Sequence, residues 1–332
     1  VDPLTHGVAS FALQRALFPR APWRCVVAIV AAGIVPDMDW FTASLGPWDY
    51  LRWHRTATHS LVFLSALVLA AFLLSRFAKN GSWNGLLAPA VGAVTLLHLS
   101  LDLCQSEGVA LLWPFSSRSF ALDWLPTIEP WLLTTLMAAI ALPELFRLVS
   151  DEIGARNKRP RGQNGAVVGL TLAALYIGLR ALLHANAVTA LEARTIAGET
   201  PQRAAAFPDS TSPFHWHGVV ETRSALNIVV MRSMGGEVSY ASGITTLHKP
   251  EPSPALAAAQ SAQAAVRFLK FARFPKATVQ AESEGFSVEI QDLKDQAAET
   301  KSRTVFADID LDKNSRVVSS ALQWQKDLGS SR

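Results

Sequence analysis

A mainly α-helical polytopic membrane domain followed by a small α+β extracytoplasmic domain is the expected architecture, and three observations lead to it. Half of the 332 residues are hydrophobic and only 17% are charged, with a mean hydropathy of +0.22. That is too apolar on average for an ordinary soluble enzyme. The average conceals an asymmetry: up to residue 185 long apolar runs are broken by short polar loops, whereas beyond residue 190 the sequence reads as water-soluble. Within that second part, several stretches alternate in the period-two manner of half-buried strands. These features divide the chain into a transmembrane domain of about six apolar helices over 1–189, a linker over 190–213 and a soluble α+β domain over 214–332.

In chain order, residues 5–19 and 25–36 are short apolar stretches separated by FPRAPWR. They are read as a thin helical hairpin, because a re-entrant tip would hold Arg20 and Arg24 deep in lipid at a few kcal/mol each. The runs 57–77, 86–104 and 130–149 reach the roughly 20 apolar residues that a hydrocarbon core requires. A fourth run, 165–184, is similar, with Arg180 close enough to its end to snorkel. No charged segment precedes a short apolar core with a small-residue cleavage site, so these segments themselves are expected to direct insertion.

Basic residues orient the chain. One set of connections holds nine of them: Arg20, Arg24, Arg76, Lys79, Arg147, Arg156, Lys158, Arg159 and Arg161. The other set holds three, Arg52, Arg55 and Arg118. The first set is assigned to the cytoplasm, which puts loops 37–56 and 105–129 and the C-terminal domain outside, in the periplasm of a Gram-negative cell. In that domain FHWHGVVETRSALNIVVMRS, VQAESEGFSVEIQDL, RTVFADIDLD and RVVSSALQW read as strands, and PSPALAAAQSAQAAVRFLKFAR as an Ala-rich helix.

Composition also excludes partners. A net charge of +3 and a pI near 9.0 are compatible with nucleic acid, yet the basic residues form no aromatic-interleaved stripe, so no nucleic-acid binding is expected. Cys25 and Cys104 are the only cysteines and no CxxC occurs, which excludes a thiolate zinc site and a disulfide framework.

The ionisable residues at membrane depth are costly and mark a site. They are Asp2 and His6, Asp37 and Asp39 in PDMDW, His54 and His59 in HRTATHS, and His98 and Asp102. Alternating helix direction brings all of them to the outer face, although that face was assigned from Lys and Arg alone. His98 and Asp102, four apart on a helix, leave the same face and can reach one ion or two adjacent ions. Asp37 and Asp39 share a face only in an extended segment, which the preceding Pro36 favours; a turn is expected between His54 and His59. Imidazole and carboxylate without thiolate suit a divalent metal, zinc first, with manganese and iron as alternatives. Arg55 beside them would hold an anionic oxygen in its fork, and Arg55 and Asp39 are the candidate catalytic residues.

In order and between apolar segments, DPLTHGVAS, PDMDW, HRTATHS and HLSLD resemble the LexA-regulated membrane-bound metal-dependent hydrolases, also called YdjM-like, over residues 1–150. HRTATHS is the most specific element. The family is in turn distantly similar to zinc-dependent phospholipase C, with its HxxxD helix. The resemblance implies metal-binding roles for His6, Asp37, Asp39, His54, His59, His98 and Asp102, and hydrolysis of an ester or phosphodiester.

Position adds membrane lipids as partners and a lipid or lipid-linked substrate at the outer face of the inner membrane. The competing expectation is a membrane scaffold or envelope stress protein with a structural metal. A transporter is disfavoured, since polar residues do not continue toward the inner halves of the spans. Structural readings compete residue by residue: Asp2 as a charge that favours the positive end of the first helix, His215 and His217 as a surface strand edge, Glu144 as a helix-kink or interhelical residue, and Glu107, Asp123 or Glu129 as outer-loop carboxylates able to complete the coordination.

Overall fold

The computed structural model describes residues 1–77, 85–152, 162–234, 236–240, 243–294 and 304–325, and side chains other than those of Phe77 and 147–152. Lys79, Arg156, Lys158, Arg159 and Arg161, used above to assign the cytoplasmic side, lie outside the described residues, as does the Arg147 side chain. The chain divides into two compact units. The first comprises Val1–Phe41 and Trp53–Leu182, and the second Thr42–Arg52 and Leu183–Arg332.

The first unit is helical. Helix α1 (Pro3–Leu17) begins with proline at its first position, where no N–H is needed, and Asp2 caps it by accepting from the Thr5 amide at 3.0 Å. Asp2 is thus a cap and not a ligand partner of His6. After the Pro22 break comes α2 (Trp23–Ala32), which ends at Gly33 and passes into a 3-10 helix, Val35–Leu45. Helix α3 (Pro47–Trp53) is followed by a one-turn 3-10 helix, Ala57–His59, then α4 (Leu61–Phe77), α5 (Leu87–Leu103), α6 (Pro130–Glu152) and α7 (Gln163–Glu192). Small side chains bring α2, α4 and α5 together: Ile29, Ala32, Ala71, Ala90, Val91 and Val94 form one buried cluster. Gly33 makes the tightest approach, because a Cβ there would overlap the Ser10 hydroxyl of α1.

The spans are fewer than the apolar runs implied. Among the described residues only α7 is long and apolar enough to cross a membrane alone, and up to three spans arise if two bent helix pairs each count as one. The physical reason is length. Helices α4 and α5 have 17 residues each, about 25 Å at 1.5 Å per residue, short of the ~30 Å core. Residues 57–59, expected to open the third span, are instead the short 3-10 turn.

The second unit carries two antiparallel sheets. Strands β1 (Arg203–Pro208), β2 (His215–Glu221), β3 (Ala225–Met234) and β4 (Glu237–Tyr240) are neighbours in that order, and β5 (Thr245–His248) also pairs with β3. Strands β6 (Pro275–Glu282), β7 (Gly285–Asp292), β8 (Val305–Asp312) and β9 (Val317–Trp324) form a meander. The single Ala-rich helix expected over 252–273 is two, α8 (Pro254–Ser261) and α9 (Gln263–Leu269). The chain is extended at Ala262 between them, and both pack on the meander. The expected linker 190–213 holds the end of α7 and all of β1, whose last four residues are buried; Leu183, Ala187 and Leu191 of α7 pack against Trp216 and Met231. Strand β2, whose His215 and His217 were expected at a surface strand edge, lies between β1 and β3, with Trp216 fully buried and His217 buried.

Candidate metal centre

Helix α5 supplies the floor of the site. Its buried stripe runs Val91, Val94, Thr95, His98, Leu99 and Asp102, so the face that packs the helix also carries the two ionisable residues. The i, i+4 spacing leaves His98 Nε2 3.0 Å from Asp102 Oδ2. From α1, His6 stacks on His98 with ring centroids 3.8 Å apart and sets Nε2 3.1 Å from Asp102 Oδ1. From the one-turn helix, His59 sets Nε2 3.0 Å from Asp102 Oδ2 and 3.3 Å from His98 Nε2.

Asp37 closes the group, with Oδ1 3.6 Å from His59 Nε2 and 3.7 Å from His98 Nε2, and Oδ2 4.0 Å from His6 Nε2. The side chains of His59, His98 and Asp102 are fully buried, that of His6 nearly so, and Asp37 is 11% exposed. The ligand atoms of His6, Asp37, His98 and Asp102 all fall within 4.8 Å of one another.

The Asp37–Asp39 expectation is corrected here. The segment is a 3-10 helix rather than extended, and at about three residues per turn positions i and i+2 point roughly 120° apart. Asp37 therefore faces the group just described while Asp39 faces the 54–59 turn. Its Oδ1 accepts from His54 Nδ1 at 2.9 Å, and its Oδ2 from the Arg55 amide at 2.8 Å, the Thr58 hydroxyl at 2.5 Å and His59 Nδ1 at 3.1 Å. The seven residues expected in one rank thus stand in two: His6, Asp37, His59, His98 and Asp102 inside, Asp39 and His54 outside.

Whether this group fits a cation turns on lone pairs. His98 Nδ1–H donates to the Gly33 carbonyl at 2.8 Å, and His59 Nδ1–H donates to Asp39. Each neutral ring then carries its lone pair on Nε2. Those two lone pairs converge on each other and on a carboxylate. The buried Asp102 Oδ2 and Asp37 Oδ2 accept no hydrogen bond in the described structure. Buried polar groups left this way are costly unless a cation joins them. Around a tetrahedral zinc-sized ion at about 2.0–2.2 Å, donors stand about 3.3–3.6 Å apart, close to the spacings found. The residues fit a divalent metal.

Arg55 borders the group. It sits at φ +55, a conformation that costs a non-glycine residue roughly 1–2 kcal/mol and here is held by the Asp39 bond to its own amide. This is the turn expected between His54 and His59. The guanidinium is 7% exposed; Nη2 donates to Gln105 Oε1 at 2.5 Å and lies 3.5 Å from Asp102 Oδ1. Gln105, fully buried, escaped sequence reasoning, although its place three residues after Asp102 put it on the same side of the chain.

Glu129 does not join the group. It accepts from the Trp131 amide at 3.2 Å and the Tyr176 hydroxyl at 3.0 Å. His217, on β2, bonds Asp209 at 3.0 Å. Cys25 and Cys104 are both free.

A family model described as YdjM inner membrane protein matches residues 1–187, which contain every residue of the buried cluster. The chain belongs to the YdjM family. It is a YdjM family membrane protein with a buried His/Asp cluster that could hold a metal ion. Among curated proteins it is similar to the uncharacterized protein YfhP of Bacillus subtilis (strain 168), at 28% identity over 127 residues, 37% of this chain and 38% of that one. The chain thus aligns with well under half of the length of that relative. No solved structure matches.

Proposed function

We propose that this YdjM protein is a membrane-bound, metal-dependent hydrolase of an ester or phosphodiester, lipid or lipid-linked, acting at the outer face of the inner membrane. The observation that supports it most is the convergence of His59 Nε2, His98 Nε2 and Asp102 Oδ2 within 3.3 Å, with a guanidinium at the edge.

His6, Asp37, His59, His98 and Asp102 would hold a divalent ion, zinc first and manganese or iron next, as one ion or two. A bound ion supplies Lewis acidity and a water acidified toward neutral pH. Arg55 binds the anionic oxygen of the substrate, and Gln105 keeps the guanidinium in register. Asp37, the most exposed of the five donors, would be the ligand nearest to solvent. The outer-face assignment rests on the nine-to-three division of basic residues. It carries with it an extracytoplasmic C-terminal domain and a lipid-accessible substrate.

One observation favours a second reading. Four of the five donors are almost fully buried, as in closed structural sites, which suits a scaffold or envelope stress protein with a structural metal. The deciding experiment measures metal content by mass spectrometry and turnover of phospholipid and acyl-ester substrates in vesicles, with wild type beside His98→Ala. Near-stoichiometric metal and turnover in wild type, both lost in the variant while membrane insertion is retained, is the expected result. Metal without turnover on any ester would replace the hydrolase reading with the structural one, and metal-free wild type after reloading would end both.

A further inference from the structure

We propose that Asp39 is a positioning residue that orients His59 toward the metal without ligating it, an inference that rests on the metal reading above. Three observations converge on it.

The first is direction. The 3-10 helix turns Asp39 away from the group that Asp37 enters. The second is saturation. A carboxylate offers about four acceptor positions, and Asp39 meets four donors: His54 Nδ1, the Arg55 amide, the Thr58 hydroxyl and His59 Nδ1. A ligand needs a lone pair left for the metal, and these donors engage both oxygens. The third is a parallel. His98 and His59 are each gripped at Nδ1, one by the Gly33 carbonyl and the other by Asp39, and each sends Nε2 to the same Asp102 oxygen. A carboxylate on the far nitrogen of an imidazole fixes its tautomer and ring orientation and raises its basicity as a ligand.

His54 falls in the same class. Its contact with Asp39 places it on the outer side of that carboxylate, 18% exposed, so it steadies Asp39 and is not a ligand. Through one side chain, then, the PDMDW segment fixes the shape of the whole HRTATHS turn.

The test uses the full chain in detergent and Co2+ as the probe, read by titration and by the visible absorption bands of the bound ion. In Asp39→Asn an amide oxygen at the Oδ2 position keeps the bonds from Arg55, Thr58 and His59. The amide nitrogen then faces His54, whose ring can switch tautomer to accept. The expected result is a roughly 10- to 100-fold loss of Co2+ affinity with band positions and intensities unchanged. His54→Ala is expected to keep affinity close to wild type with the same bands, and it stands as the test should Asp39→Asn fail to fold.

Altered bands in Asp39→Asn, or metal lost in His54→Ala, would make these residues ligands and overturn the inference. Wild-type affinity in Asp39→Asn would reduce Asp39 to a structural role. Each of those outcomes leaves the metal reading standing, whereas wild-type chain that binds no Co2+ overturns both.

Discussion

Among the described residues two histidine–aspartate arrangements occur, one in each unit, and they differ in what remains after the hydrogen bonds are made. In the second unit His217 Nε2 meets Asp209 Oδ2 at 3.0 Å, while Asp209 Oδ1 accepts from the Thr211 amide and hydroxyl, both at 2.6 Å. That carboxylate is a turn-former with its valences used. In the first unit His59 and His98 commit Nδ1 elsewhere and bring their Nε2 lone pairs to one carboxylate. Proximity of His to Asp is therefore a poor guide to a metal site. Lone pairs left over in a buried place are the better one.

The comparison is sharpest at Asp102. Asp102→Ala removes the shared acceptor and should bring metal content below detection by mass spectrometry, with helix content by circular dichroism preserved. Retained stoichiometric metal would break the distinction drawn here.

Smaller effects are expected in the other unit. His217→Ala should leave metal content unchanged and cost about 1–3 kcal/mol, seen as a lower melting temperature of the β-sheet signal. Loss of metal in that variant would make the His217–Asp209 pair a second site.

The smallest effect is in acid. Burial alone would raise the Asp209 carboxyl, but the hydrogen bonds from Thr211 and His217 outweigh it and hold it down from 3.8 to about 2. A carboxyl depressed in the folded state contributes stability that is complete above its unfolded value and lost as pH falls through the folded one. The β-sheet melting temperature should therefore decline between about pH 4 and pH 2, and Asp209→Asn should flatten that slope. An unchanged slope would remove Asp209 from the account.

Much of the buried cluster was legible because it rests on local rules. The i, i+4 pair His98–Asp102 needs only a helix, and the His54–His59 turn needs only that five residues do not share a face. Similarly, from Val288 onward in β7 and throughout β8, buried positions alternate with half-buried or exposed ones, which a period-two pattern captures. What was not legible depended on choices that sequence pattern does not separate. Pro36 is compatible with an extended or a 3-10 segment, and that single choice decided the facing of Asp37 against Asp39. Strands β4 and β5 have four residues each, too few to establish a period. Ala204, Ala205 and Ala206 in β1 resemble a helix or a linker until β2 pairs with them. Likewise Tyr50 and Leu51, between Asp39 and His54 in sequence, pack with the α8–α9 core of the second unit, and Tyr50 lies 5.2 Å from the Trp324 ring; only tertiary contact reveals that.

Gly33 closes the gap between chemistry and packing. It carries no side chain, yet its carbonyl holds the His98 ring and its bare Cα admits Ser10. Enlarging it by one methyl group would push apart the strut that aims His98 and the helix that delivers His6. The alignment of the centre thus depends in part on a residue with no functional group, and a screen that scored only ionisable positions would pass over it.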